Sequence, residues 1–389
     1  MIERDLTARL RKVAGQFPAV TLTGPRQSGK STLCKAVFSE LQHANLEAPD
    51  VRAYANDDPR GFLSDYPEGA VLDEIQRAPE IPSYLQGIID NDPKPGRWIL
   101  TGSQNLALSG AVSQSLAGRS AVLNLLPLAH SEVLRFEDHP ETLDDVMLTG
   151  GYPRILDVGI EPSEWAGSFM GTYIERDVRT ISNVGDLAAF QRFMELCAGR
   201  TSQLLNYSNL AGDAGISQPT AKAWMSVLEA SYLAFRLPSF SANIRKRLVK
   251  MPKLHFYDTG LVCWLLGIRK AEHLRLHPLR GAIFETWVVS EIMKHRINAG
   301  ETGNVYHYRD QNKVEADLVI DRGDRLTLVE VKAGQTAAPS VFSGARRVSE
   351  VLQQIRPCDA MVVYGGEASQ KRSDVSLIPW SAVHKQHWA

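Results

Sequence analysis

The run Gly24-Pro25-Arg26-Gln27-Ser28-Gly29-Lys30-Ser31 fits the pattern G-x-x-x-x-G-K-[ST]. An apolar stretch, Ala19 to Thr23, precedes it and reads as a buried strand. The stretch from Ser31 to Phe38 follows and reads as a helix. That strand–loop–helix setting is what a phosphate-binding loop requires. Gly24 and Gly29 let the backbone curl until its N–H groups face inward, and the helix N-terminus adds partial positive charge. Gly24, Pro25, Arg26, Gln27, Ser28, Gly29, Lys30, Ser31 and Thr32 are therefore the candidate nucleotide contacts. Lys30 is expected on the β- and γ-phosphates of ATP, and Ser31 on Mg²⁺.

A chain of 389 residues exceeds one ordinary core, so two or three domains are expected. Charged residues interrupt every apolar run before it reaches membrane-spanning length. The start, Met1 to Leu6, carries both signs of charge and lacks the apolar core of a signal peptide, which points to the cytoplasm. Cys34, Cys197, Cys263 and Cys358 are scattered, as small core residues in a reducing compartment would be. With 43 basic and 44 acidic residues, any nucleic-acid contact must come from a local basic patch.

A second apolar run, Ala70-Val71-Leu72, ends in Asp73-Glu74. Alternation along a strand sends these two acids in different directions. Asp73 is assigned to Mg²⁺ with Ser31, and Glu74 to general-base duty. A third run, Arg97 to Gln104, ends in polar residues. Ser103 or Gln104 would orient the attacking water if this strand lies between the other two; a plain turn is the alternative. Arg119 precedes the apolar run Ala121 to Leu128. It would stabilise a leaving phosphate, in its own subunit or a neighbour, or else form a surface salt bridge. Gly150-Gly151-Tyr152-Pro153 breaks the chain after a helical stretch, Thr142 to Leu148.

Taken together, Gly24–Ser31, Val71–Gln76, Leu100–Gln104, Ser115–Arg119 with Leu126-Pro127-Leu128, and Gly150–Arg154 resemble the prokaryotic AAA+ ATPases that carry a C-terminal domain of unknown function. The resemblance spans nearly the whole chain. It implies Arg119 as an arginine finger. It also implies Gly151, Pro153 and Arg154 as lining the nucleotide base or sensing its state. It further implies a homo-oligomeric ring, often a hexamer, with ATP between subunits.

In the middle of the chain, helical spacing runs from Trp165 to Val178 and from Leu187 to Ala198. Asn206 to Glu229 reads as helix–turn–helix, with Ser217 as cap and Pro219 in the first turn of the second helix. A strand at Leu233 to Leu237 then suggests a winged helix. Gln218, Thr220 and Lys222 would face a DNA groove. Arg245, Lys246, Arg247 and Lys250, with no acid from Arg236 to Lys253, would meet phosphates as its wing. A solvated loop, or a winged helix serving protein contacts, is the other reading.

Further on, Gly281 to Ile292 reads as an amphipathic helix with Glu285 near its apolar side. Glu315 to Ile320 and Leu326 to Lys332 read as a hairpin. Asp317 followed by Glu330-Val331-Lys332 looks like the PD-(D/E)xK nuclease core, although Ala316 stands where that motif has Pro. Glu330 and Lys332 share a strand face. Asp317 and Glu330 would hold Mg²⁺, with Glu285 as an outer acid and Lys332 at the water. A nuclease fold used only for binding or assembly is the stronger alternative.

The expected architecture is α/β. It comprises a P-loop AAA+ ATPase domain with a parallel sheet (residues 1–155), a helical winged-helix domain (156–275) and an α/β nuclease-like domain (276–389). The expected activity is ATP hydrolysis coupled to translocation or remodelling of branched or forked DNA, with no membrane. The rivals are a metal-dependent DNA endonuclease gated by ATP, and an ATP-dependent protein-assembly switch that never touches DNA.

Overall fold

The computed structural model describes residues 2–103, 115–174, 186–240, 251–310, 314–372 and 374–389. Five strands open the chain: β1 (Ala19–Thr23), β2 (Gln42–Asn45), β3 (Ala70–Asp73), β4 (Trp98–Gly102) and β5 (Ser120–Asn124). All pair in parallel, in the order β2-β3-β4-β1-β5. Successive residues part to opposite faces. Ala19, Leu72 and Leu100 join one core, while Val20, Val71 and Ile99 join the other. Helices cover both faces, which is why these strands read as apolar runs. β4 lies between β1 and β3, so the polar tip after it stands beside the loop, as expected. Because the sheet is parallel, Thr23, Asp73 and Gly102 all end at one edge.

The middle of the chain holds three helices, Leu187–Ala198, Tyr207–Ala214 and Gln218–Ala230, followed by β6 (Ala234–Leu237) and β7 (Lys253–Phe256). Each helix start has a local cause. The side chains of Asp186, Asn206 and Ser217 accept from backbone N–H groups of the first turn. Gly215 closes the second helix with φ 68°, a left-handed position that suits glycine. β6 and β7 are antiparallel, and Leu204 adds a bridge to Lys253 on the other side of β7. Phe190, Phe193 and Trp224 pack edge-on at the centre of the helices. The helix expected from Trp165 to Val178 is seen as Pro162–Tyr173, and its last residues lie outside the described ones.

A second sheet ends the chain, in the order β12-β13-β11-β10-β9-β8. Its strands are β8 (Val305–Arg309), β9 (Glu315–Asp321), β10 (Leu326–Lys332), β11 (Cys358–Tyr364), β12 (Gln370–Lys371) and β13 (Val375–Pro379). β9 and β10 form the expected hairpin. β10 and β11 are parallel, joined through helix Pro339–Gln353. That helix covers one face with Phe342, Ala345, Val348 and Leu352.

Helix Arg280–Ala299 covers the other face. It corrects an expectation, for it is buried nearly all round and is not amphipathic. It packs against β10, β7 and helix Thr259–Leu265, so its charged residues need buried partners. Glu291 binds Lys294 at 2.9 Å and accepts from the His130 N–H at 2.6 Å. Lys294 donates to the Leu128 carbonyl at 3.0 Å.

The Gly150-Gly151 break is sterically required. A Cβ on Gly151 would meet the Leu128 carbonyl oxygen at 2.4 Å, and one on Gly150 would meet the Asp258 carboxylate at 2.5 Å. Asp258 accepts from the Gly151 N–H at 2.7 Å and also caps helix Thr259–Leu265.

Candidate nucleotide site and the C-terminal acidic cluster

The loop after β1 has the curl its sequence implies. Gly24 has φ 152°, and a Cβ there would strike the Leu125 carbonyl oxygen at 2.1 Å. Gln27 (φ 59°) and Gly29 (φ 93°) are left-handed, and Gly29 caps helix Lys30–Val37. Lys30 is 5% exposed, and its ammonium donates to the carbonyls of Gly24 at 3.0 Å and Pro25 at 2.8 Å. Burial lowers its pKa to about 8, with Glu74 and Asp73 acting in the opposite direction.

At the ends of β3 and β4 the side chains sort into two groups. The Ser31 hydroxyl donates to Asp73 Oδ2 at 2.7 Å, and Thr101 donates to Asp73 Oδ1. Glu74 turns away, with φ 59°. Its Oε2 accepts from Ser103 at 3.1 Å and from Gln76, while its N–H donates to Thr101 at 3.3 Å. The two acids diverge, but not by strand alternation: β3 ends at Asp73, and the left-handed turn at Glu74 redirects the second acid. Asp73 lies on the loop side with Ser31, and Glu74 on the β4 side with Ser103. A hydroxyl and a carboxylate in contact are a donor set that suits Mg²⁺ completed by phosphate oxygens. Gln104 lies outside the described residues.

Sequence reasoning missed three supports of this loop. Arg4 donates to the Ser28 carbonyl at 2.6 Å, to the Leu126 carbonyl at 2.9 Å and to Glu132 at 2.7 Å, clamping the loop from behind. Trp165 donates its indole N–H to Gln27 Oε1 at 2.8 Å. The Tyr232 hydroxyl lies 2.6 Å from the Thr23 hydroxyl and donates to Asn124 at 3.0 Å. Trp165 comes from helix Pro162–Tyr173 and Tyr232 from the turn after helix Gln218–Ala230, so the loop is braced by a later part of the chain. Arg26 lies 3.7 Å from Glu47.

A cavity of about 320 Å³ adjoins the loop helix, lined among others by Thr7, Gly29, Thr32, Ala36, Leu128 and Pro153. Pro153 and Arg154 form the first turn of helix Pro153–Val158, and Arg154 is exposed there.

Arg119 is corrected as a finger on its own nucleotide. Its carbonyl accepts from the N–H of Ala19, the first residue of β1, so it stands at the sheet edge opposite the loop. The five residues of β1 put roughly 13 Å between the two edges. Its guanidinium instead binds Asp90 at 2.5 and 2.9 Å.

Of the residues expected on DNA, Gln218 and Lys222 are exposed on helix Gln218–Ala230, and Lys222 sits 5.9 Å above the Tyr207 ring. Thr220 is half-buried in the cap, 2.7 Å from the Ser217 hydroxyl. Arg245, Lys246, Arg247 and Lys250 lie outside the described residues.

In the C-terminal sheet, Glu285, Asp317, Glu330 and Lys332 do come together, and Lys332 binds Glu330 at 2.5 Å. A residue the sequence reading passed over sits among them. Lys253, at the start of β7, places its ammonium 2.8 Å from Glu285, 2.9 Å from Glu315 and 3.2 Å from Asp317. Burial opposes its charge, but Asp317, Glu285 and Glu315 together raise its pKa. Burial, with Asp317 close by, raises the pKa of Glu285 and of Glu330. Among the described residues no group of three or more His, Cys, Asp or Glu side chains is arranged to hold a metal ion.

Residues 16–134 match the model of an AAA domain. Residues 140–272 and 280–383 match two models described as domains of unknown function, DUF8612 and DUF4143. The uncharacterized proteins Rv2008c of Mycobacterium tuberculosis and Mb2031c of Mycobacterium bovis are each 30% identical over 374 residues, covering 95% of this chain and 82% of theirs. The chain belongs to their family. In this chain, the N-terminal sheet and loop form a P-loop ATPase domain of the AAA type, which binds ATP. Among solved structures, the Walker-type ATPase PABY2304 of Pyrococcus abyssi is 15% identical, covers 68% of this chain and 96% of its own, and has a TM-score of 0.46. RuvB of Thermotoga maritima is 17% identical, covers 61% and 90%, and has a TM-score of 0.32. Neither likeness is close enough to carry an assignment. Among the described residues no helix is long and apolar enough to cross a membrane.

Proposed function

We propose that this chain is a Mg²⁺-dependent ATPase of the cytoplasm that acts on DNA as a homo-oligomer, translocating on or remodelling branched or forked duplexes. The observation that carries the hydrolytic part is the divergence of Asp73 and Glu74 at the mouth of the loop. Lys30 leaves the carbonyls of Gly24 and Pro25 for the β- and γ-phosphates. Ser31 and Asp73 would hold Mg²⁺, which would supply charge neutralisation at the phosphate oxygens. Glu74 takes the proton of the attacking water, and Ser103 and Gln76 keep its carboxylate aimed. The cavity beside Thr32 and Pro153 receives the base, with Arg154, the residue after Pro153, as sensor. Any action of Arg119 on phosphate is on a neighbouring subunit's, after it leaves Asp90.

Lys30 supplies a test of the binding half. Phosphate charge restores the proton that burial weakens. ATP binding at pH 8 is therefore expected to take up about half a proton, and close to none at pH 6. Calorimetry in buffers of different ionisation enthalpy reads this directly. Lys30→Arg, which does not titrate, should erase the uptake.

Two features support the DNA part. Three helices followed by an antiparallel strand pair is the order of a winged helix, with Gln218 and Lys222 exposed on its third helix. The segment joining β6 to β7 carries Arg245, Lys246, Arg247 and Lys250 without an acid. The expected result is ATP turnover stimulated by forked DNA. The stimulation should fall steeply with salt and be lost when Arg245, Lys246 and Arg247 are replaced by Ser. Turnover indifferent to single-stranded, duplex, forked and four-way DNA alike would leave the protein-assembly switch as the better reading.

A further inference from the structure

The carboxylates of Glu285, Glu315 and Asp317 come from a helix and a strand of the C-terminal part, whereas Lys253 comes from β7 of the middle part. An ammonium has three N–H donors and accepts nothing. Here three carboxylates lie within 3.2 Å of it: Glu285 and Asp317 accept hydrogen bonds, and Glu315 adds an ion pair. The residue is 2% exposed. Its backbone is fixed on both sides, by Leu237 of β6 and by the Leu204 bridge, so the side chain is delivered by a rigid strand. Asp317 is engaged through both oxygens, since Oδ2 accepts from the Val331 N–H at 2.9 Å. Beside this set, Glu330 is 7% exposed, and its Oε2 is buried without a hydrogen-bond partner.

We propose that Lys253 is the resident cation of this cluster. It neutralises the acids where a divalent ion would otherwise be needed, shuts the cluster to such ions, and latches β7 to the C-terminal sheet. A divalent ion sharing these oxygens would stand about 4 Å from the ammonium, and at that range two buried like charges repel strongly. This inference does not depend on whether the protein acts on DNA.

The test is Mn²⁺ binding to the nucleotide-free full-length protein, followed by the electron-spin resonance of free Mn²⁺. Wild type and Asp317→Asn are expected to bind Mn²⁺ alike. Lys253→Met, which keeps the stem and removes the charge, is expected to raise Mn²⁺ affinity by about tenfold or more. Adding Asp317→Asn in that background should abolish the gain. Should Lys253→Met leave the chain unfolded, Lys253→Met/Glu315→Gln, with one acid fewer, takes its place under the same criteria. Wild-type Mn²⁺ binding that disappears in Asp317→Asn would overturn the proposal, and so would a charge-removed variant that folds and gains no Mn²⁺.

Discussion

Lys30→Ala is expected to abolish ATP turnover and to weaken ATP binding by about 10- to 100-fold, the value of one charge-assisted hydrogen bond to a buried anion. The expectation rests on two separate roles of one side chain. The ammonium is the charge nearest the expected phosphates. It also satisfies the carbonyls of Gly24 and Pro25 at 3.0 and 2.8 Å. Truncation leaves both carbonyls without that donor, at a cost of about 1–3 kcal/mol for each one that stays buried. The loop should therefore loosen even in the absence of nucleotide. A fluorescent ATP analogue measures the binding, phosphate release the turnover, and hydrogen exchange across residues 24–30 the loosening. Turnover at the wild-type rate would remove the foundation of the site described above.

Glu74→Gln is expected to do the opposite to binding. Affinity for ATP should stay within about threefold, while kcat falls by about 10²–10⁴, the usual worth of a positioned base. That loss corresponds to about 3–5 kcal/mol in the barrier. The amide keeps the shape of the carboxylate and can still accept from Ser103, which donates to Glu74 at 3.1 Å. It cannot take a proton from water. Asp73→Asn is the informative comparison, because Asp73 binds Ser31 and Glu74 does not. Should Glu74→Gln lose affinity in step with turnover, the residue is a structural support of β3 and another group activates the water.

The parts of this molecule that were legible in the sequence are those specified by neighbours in the chain. The loop motif, the acids at the end of β3, the cap at Ser217 and the β9–β10 hairpin all rest on residues a few positions apart. What was hidden depends on residues far apart. Arg4 grips Ser28 and Glu132, which are 24 and 128 residues away. Lys253 meets Glu285 and Asp317 across 32 and 64 residues, and nothing local distinguishes it from a solvated lysine. Gly281–Ile292 read as amphipathic, yet the helix that contains it, Arg280–Ala299, also buries the charged Glu291, Lys294 and Arg296. Their buried partners lie in segments that spacing alone cannot bring near. Arg119 stood open between a phosphate and a surface salt bridge; a residue just before a parallel strand sits at the edge away from the loop, where it binds Asp90. That inference was available once β5 was taken as parallel to β1.

β7 is four residues long, yet it is fastened at both ends. Lys253 pins its start among three acids, and Asp258, two residues past its finish, holds the Gly151 N–H. Roughly 17 Å of extended chain separates the two fastenings, too short and too straight to absorb slack. It behaves as a connecting rod. The paired glycines before Pro153 and the carboxylate nest are therefore held at one spacing by a single strut, although they lie on separate parts of the chain.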